Sequence, residues 1–319
     1  MINPASPITK GPSFLLSKVA TKDLCRLYIL DYGVDVSRHF SGIDQLGYYE
    51  CKESGVHYFY PFCPADERCY NHLSKLPWYY SSDKEEYRYI SAKICQGSSV
   101  LDVGCGVGGF MAALPNCRFV GLETSSAAVS AGRSKGVPIF PISVKDHALD
   151  HADAYDVVTA FQVLEHVTDP IEFLRDMVSC ARPGGRVVVS VPAEDGALGA
   201  CVNYTLNLPP HHLTRWTDRA LTFTLKMVGL TEINLQHLPL TGDLEVEVIA
   251  QFLARGLRGP SFHAKLVRGG PAERAFLSVL RGVAKRLRRG IVTPCIAGHT
   301  VVAVGVKPPA SVRYAPNNE

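Results

Sequence analysis

From residue 99 onward, short runs of β-branched and other apolar residues alternate with stretches of helical period. This pattern predicts a mostly parallel sheet whose strands are joined by crossover helices. Strands are expected over residues 99–103, 118–123, 138–142, 155–160 and 186–191, with two later ones over 231–237 and 300–307. A helix over 171–181 has readable ends, because Asp169-Pro170 supplies an N-cap and a first-turn proline, and Pro183-Gly184-Gly185 stops it. Ahead of this core the chain is rich in aromatics, with short strand-like pieces at 47–51 and 56–60 and a helix expected over 76–94. Near the other end, residues 271–289 place Phe276, Leu280, Val283 and Leu287 on one side of a helix and Arg274, Arg281, Lys285 and Arg288 on the opposite side.

The organisation that follows is an N-terminal cap with its lead-in helix (1–98), an α/β core (99–238), a basic helical insertion (239–299), and a last core strand with a C-terminal tail (300–319). Composition agrees with a folded chain: of 319 residues, 46% are hydrophobic and 20% charged. No run approaches the ~20 apolar residues of a membrane-spanning helix, and Pro4, Pro7 and Pro12 interrupt the start. A cytoplasmic enzyme is therefore expected. The ten cysteines include no C-x-x-C pair and read as reduced thiols, most of them buried. The net charge of +3 is concentrated, since residues 252–290 hold ten Lys or Arg against the single acid Glu273. That segment allows two readings: an insertion packed on the core with a solvated basic face, or contact with anionic lipid or a phosphate-bearing acceptor. Nucleic acid is not expected, because base-stacking aromatics are sparse there.

The chemistry begins where strand 99–103 meets Gly104-Cys105-Gly106-Val107-Gly108-Gly109. Glycines at a strand-to-helix turn let a ligand approach the backbone, and the exposed N–H groups favour a polar or anionic group. The spacing also fits the dinucleotide fingerprint, which alone decides little. Asp102 is more telling: a carboxylate at the strand end opposes a pyrophosphate and suits a cationic ligand. Glu123, closing the next strand, can accept from both hydroxyls of a ribose.

Taken with residues 156–170 (DVVTAFQVLEHVTDP) and 182–192 (RPGGRVVVSVP), these blocks resemble the class I S-adenosylmethionine-dependent methyltransferases. The resemblance implies a Rossmann-like α/β fold with a seven-stranded, mostly parallel sheet, helices on both faces and a reversed final strand. It implies S-adenosyl-L-methionine as cofactor, bound by Asp102, Gly104, Cys105, Gly106, Gly108, Glu123 and Gln162. Ser143 and Val144 would lie at the adenine edge, with Asp146 a little beyond. Residues 35–62, 78–87 and 209–216 further resemble a bacterial subgroup associated with surface-polysaccharide biosynthesis, which implies a small or glycan-like acceptor, methylated at a hydroxyl. Relatives with a zinc ribbon pair their cysteines, whereas Cys51, Cys63 and Cys69 lack paired spacing.

Methyl transfer needs donor and acceptor held in line, with a base where the nucleophile is a hydroxyl. His166, after the fourth core strand, and His212 and His211, between Pro209-Pro210 and Arg215-Trp216, are the candidate catalytic groups; each could instead cap or pack its loop. No metal is expected, since the adjacent histidines have no third ligand at suitable spacing. Tyr79 and Tyr80 read as a lid or as core aromatics. Tyr80 and Lys84 match a reductase pair but precede the glycine turn. A nicotinamide-dependent reductase and a non-catalytic S-adenosylmethionine-binding module are the alternatives.

Overall fold

The structure, a computed structural model, describes residues 3–76, 79, 83–114, 116–201, 203–240, 243–258, 266, 271–287 and 298–309. In chain order the cap comprises β1 (Ser13–Ala20), α1 (Thr21–Tyr32), β2 (Gln45–Cys51), β3 (His57–Tyr60), α2 (Glu67–Leu73) and α3 (Glu85–Ser91). The core follows as β4 (Ser99–Val103), β5 (Arg118–Leu122), α4 (Ser126–Arg133), β6 (Ile139–Phe140), α5 (Val144–Asp150), β7 (Tyr155–Phe161), α6 (Pro170–Cys180) and β8 (Ala181–Pro192). Then come β9 (Thr214–Arg215), α7 (Asp218–Met227), β10 (Thr231–His237), α8 (Asp243–Arg258), α9 (Pro271–Leu287) and β11 (Thr300–Val306).

Among the described residues, seven strands form one sheet in the order β10-β11-β8-β7-β4-β5-β6. The pairings from β8 to β6 are parallel, and β11 runs antiparallel to both of its neighbours. The expected mostly parallel sheet with one reversed final strand is thus present. Its two faces follow from the period-two alternation of the strands. Leu101, Val103, Val158, Ala160, Val187, Val189 and Ala303 pack with Leu174 and Met177 of α6 and Leu221 and Leu225 of α7. Val100, Val157, Phe161, Val188 and Val302 pack on the other side with Tyr87 and Ile90 of α3, Phe110 and Val129. Both faces are covered, which is why these strands read as near-continuous apolar runs.

Three local expectations are corrected. The helix foreseen over 76–94 is, among the described residues, confined to Glu85–Ser91, with Lys84 extended at its start. In the sequence, a proline at 77 and the Ser-Ser-Asp composition of 81–83 both disfavour a helix that starts at 76. The strand foreseen over 138–142 is only Ile139–Phe140, because Pro138 and Pro141 flank it and neither can donate to a ladder. The fifth strand begins at Ala181, earlier than expected, and a register irregularity against β7 takes up the Pro-Gly-Gly segment.

The cap is built on a four-stranded sheet, β1-β2-β3-β9. Its last strand comes from the chain between β8 and α7, where His57 and Tyr58 pair with Arg215 and Thr214. This shared edge brings the aromatic cap against the carboxyl end of β7, where Leu213 N–H donates to the Glu165 carbonyl at 2.9 Å. Leu206 and Leu208 join the apolar cluster of α1 and β2, and Tyr28 donates to the Leu208 carbonyl at 2.8 Å. Nine cysteines are described, all free thiols; Cys295 lies outside the described residues.

Candidate functional site

At the carboxyl end of β4 the chain turns sharply. The N–H groups of Gly104 and Cys105 both reach the Leu122 carbonyl, at 2.8 and 3.0 Å. Gly104, Gly106 and Gly108 all have positive φ, which their lack of Cβ permits. A Cβ on Gly104 would stand 2.6 Å from Val163 Cγ2, so the turn is pressed against the loop that follows β7. Asp102 is buried at 2% exposure and accepts the Thr159 hydroxyl at 2.7 Å. No ion pair is formed with it among the described residues. Burial pushes its carboxyl up to about 7, against the Thr159 hydrogen bond and the attraction of Lys84, while Glu123 adds repulsion.

Glu123 grips the same turn: its two carboxylate oxygens accept from Gly106 N–H at 3.0 Å and Ser125 N–H at 2.7 Å. Gln162 adopts a left-handed φ of 57° and donates to the hydroxyls of Ser190 and Thr300, both at 3.4 Å. Asp102, Gly104, Gly106, Glu123 and Gln162 therefore lie at one edge of the sheet. Others of the expected ligands have different side-chain duties. Cys105 is buried, and its sulfur fills the space that Gly121 leaves open. Gly108 is glycine because Val137 would meet a Cβ at 2.4 Å. Ser143 caps α5, its hydroxyl committed to Asp146, and the Val144 side chain packs into the core. At these four positions only backbone is left to face a ligand.

The three histidines, far apart in sequence, come together. Single ligand atoms of His166, His211 and His212 lie within 4.8 Å of one another. Each ring is fixed through Nδ1: His166 to the His211 carbonyl, His211 to the Leu206 carbonyl at 3.0 Å, and His212 to Asn207 Oδ1 at 2.9 Å. Beside them is Glu165, fully buried, with neither carboxylate oxygen hydrogen-bonded among the described residues. Its Oε1 is 3.8 Å from His212 Nε2 and 3.9 Å from His166 Nε2. Burial holds His166 down at about 4, drives His211 and His212 well below the usual range, and pushes Glu165 up to about 8. Tyr79 Oη lies 3.1 Å from His211 Nε2, and Tyr70 packs edge-on to His166. Lys84 draws down both Glu165 and Asp102, so the two buried carboxylates share one electrostatic neighbourhood. Glu165 is the member that sequence reasoning missed; its only signal is its place beside His166 directly after an apolar strand.

Arg215 and Trp216, which follow the histidine segment, are interior. Arg215 is 1% exposed, donates twice to the Asn207 carbonyl, pairs with Glu194 at 3.5 Å and stacks on Tyr48 and Phe59. Trp216 donates to Thr214 Oγ1 at 3.0 Å. In the basic insertion, α9 packs on α8 through Leu280 and Ala284, leaving Val283 and Leu287 partly exposed. Arg274 pairs with Asp31 and Arg281 with Glu247, which draws two cations of the basic face into contacts within the chain. Tyr80 and Arg288 lie outside the described residues. No helix among the described residues is long and apolar enough to cross a membrane.

Comparison with known proteins agrees with the core. Residues 79–235 match the family model described as a methyltransferase domain. The ubiquinone biosynthesis O-methyltransferase of Proteus mirabilis is 30% identical over 159 residues, which are 42% of this chain and 64% of that protein. Its namesake in Pseudomonas savastanoi pv. phaseolicola is 31% identical over 185 residues, 49% of this chain and 78% of that protein. Among solved structures, the chain is similar to Haemonchus contortus phosphoethanolamine N-methyltransferase 2 in complex with S-adenosyl-L-methionine. The identity there is 12% and the TM-score 0.49, over 93% of this chain and 69% of that one. The chain spans less than two thirds of the length of the first curated relatives it matches, down to 43% for that of Vibrio parahaemolyticus. These relatives are named for ubiquinone and not for a polysaccharide, so the expected glycan-like acceptor and polysaccharide subgroup find no support. Nor is the nicotinamide-reductase alternative favoured. With the sheet order, the glycine turn, the methyltransferase-domain match and the Pseudomonas relative, of which 78% is covered, the chain belongs to the class I S-adenosylmethionine-dependent methyltransferases.

Proposed function

We propose that the protein transfers a methyl group from S-adenosylmethionine to a hydroxyl of an aromatic small molecule. The observation that carries the cofactor half is Asp102, a buried carboxylate beside a glycine turn with no ion-pair partner among the described residues. A carboxylate there is costly until a cation is seated against it. The ammonium and sulfonium of S-adenosylmethionine provide positive charge; a pyrophosphate would add repulsion. Glu123, already anchored by two N–H groups, keeps lone pairs for the ribose hydroxyls, and Gln162 flanks the methionyl part. When bound, the cofactor supplies an electrophilic methyl group on sulfur.

The chain then has to place the acceptor oxygen in line with that methyl and exclude water. Val163, pressed on Gly104, leads directly to Glu165 and His166, so the acceptor side falls where these meet His211, His212, Tyr70 and Tyr79. Aromatic walls beside imidazole nitrogens suit a phenolic hydroxyl, and the relatives' names point to O-methylation. Calorimetry with S-adenosylmethionine, S-adenosylhomocysteine and NADH tests the cofactor half: binding of the first two and not the third is expected. Labelled-donor assays over a panel of catechols and phenols test the acceptor half. Cofactor binding without turnover on any acceptor would leave a non-catalytic binding module.

A further inference from the structure

We infer that Glu165, His166, His211 and His212 form a binding site for one divalent transition-metal ion of the zinc type. The first support is ring orientation. Two Nδ1 atoms lie on backbone carbonyls and the third on a side-chain amide oxygen, groups that only accept, so each Nδ1 carries the hydrogen and each Nε2 presents a lone pair. A backbone or amide oxygen behind each imidazole is the usual outer support of metal-bound histidines. The second support is Glu165, whose oxygens are wholly buried and without a hydrogen-bond partner among the described residues. At 3.8 and 3.9 Å from two Nε2 atoms it is too far to bond them, yet placed to share an ion with them.

A buried carboxylate flanked by the Nε2 atoms of His166 and His212, with His211 stacked on His212, would otherwise be an uncompensated cost at the seam of cap and core. A divalent ion removes that cost and ties residues 165–166, behind β7, to residues 211–212, which lead into the cap strand β9. Three nitrogens and one oxygen are a borderline donor set, which selects Zn²⁺, Co²⁺, Ni²⁺ or Fe²⁺ over Mg²⁺ and Ca²⁺. Metal–nitrogen bonds of ~2.0–2.1 Å require the ligand atoms, now within 4.8 Å of one another, to draw inward around the ion. Tyr79 holds the Nε2 of His211 and must release it on coordination. The adjacent histidines offer two ligands in sequence; the fold brings the third and the carboxylate. The site stands on this geometry alone, and only its use, lowering the pKa of an acceptor hydroxyl at the ion, rests on the methyltransferase reading.

The test is titration of the full chain, stripped by chelator, with Co²⁺ followed by visible absorption and with Zn²⁺ followed by calorimetry. One ion per chain is expected, with a ligand-field spectrum of nitrogen and oxygen donors. Glu165→Gln and His212→Gln should each weaken binding by more than ~10-fold, and Asn207→Ala, which frees the His212 ring, by ~10-fold. Tyr79→Phe should strengthen it, since the competing hydroxyl is gone, and this variant keeps the test open if the ligand variants misfold by circular dichroism. No saturable binding, or binding unchanged across all four variants, overturns the site. S-adenosylhomocysteine binding by the metal-free protein is read in parallel. Its absence would sink the methyltransferase reading and leave the metal result intact.

Discussion

Two buried polar groups at one edge of the sheet differ in how they are made. The glycine turn with Asp102 and Glu123 is local: a single strand-turn segment, with one acid from the adjoining strand, supplies its parts. The histidine and glutamate cluster is assembled from residues 165–166 and 207–212, leaned on by Tyr70 and Tyr79 of the cap. The first is held by hydrogen bonds and φ angles within one turn, the second by rings anchored on the carbonyls of His211 and Leu206 and on the Asn207 amide, partners from a segment remote from β7. A local site therefore tolerates change in the cap, whereas an assembled one depends on whatever holds cap and core together.

The sharpest way to break this contrast is Arg215→Ala. It strips a buried cation from the Asn207 carbonyl, Tyr48 and Phe59 and leaves Glu194 without that partner, a loss of about 3–5 kcal/mol in urea unfolding. The cluster should be disturbed with it, while cofactor affinity of the still-folded fraction stays near wild type. Equal stability would mean that the seam does not depend on this residue. At the other site, Asp102→Asn should cost about 2–5 kcal/mol of S-adenosylmethionine affinity by calorimetry, for want of a charge against the cation. The pH dependence follows the same carboxyl. Its pKa in the free protein is raised to about 7, so the carboxylate form is lost as pH falls through that value. Affinity should therefore weaken from pH 8 to pH 6, and the slope should flatten in Asp102→Asn. For folding the sign is opposite: a raised acid binds its proton more tightly in the native state, so this group's contribution to stability declines as pH rises from about 4 to 7.

Smaller effects sharpen the local side. Gly104→Ala puts a Cβ at positive φ against Val163 and should lower stability by about 1–3 kcal/mol, read as a fall in Tm. The smallest belongs to the insertion. Arg281→Ala removes a surface pair with Glu247 and should cost no more than ~1 kcal/mol.

How much was legible follows from the same distinction. The strands at 99–103 and 231–237 stand where apolar periodicity placed them: the first is buried on both faces, and the second, at the sheet edge, alternates half-buried and exposed positions, which fixes the face it turns to the core. The turn that carries Asp102 and the glycines was visible since its conformation depends on neighbours a few residues away. The side-chain contacts of Cys105 and Ser143 were not legible for the converse reason: a thiol filling the gap over Gly121, or a hydroxyl that caps α5, depends on packing that no short motif records. Likewise, Arg215 and Trp216 look like solvent-facing polar and aromatic groups until β9 is drawn into the cap sheet.

What the sequence determined by itself is the sheet, its one reversed strand and the glycine turn after β4, since apolar alternation and glycine's φ freedom act over a few residues. Only the tertiary structure decided that His166 stands beside His211 and His212 and next to Glu165, whose carboxylate has no hydrogen-bond partner among the described residues. That meeting depends on closing a loop of some forty-five residues against the cap, and long-range closure leaves no periodic trace in the chain.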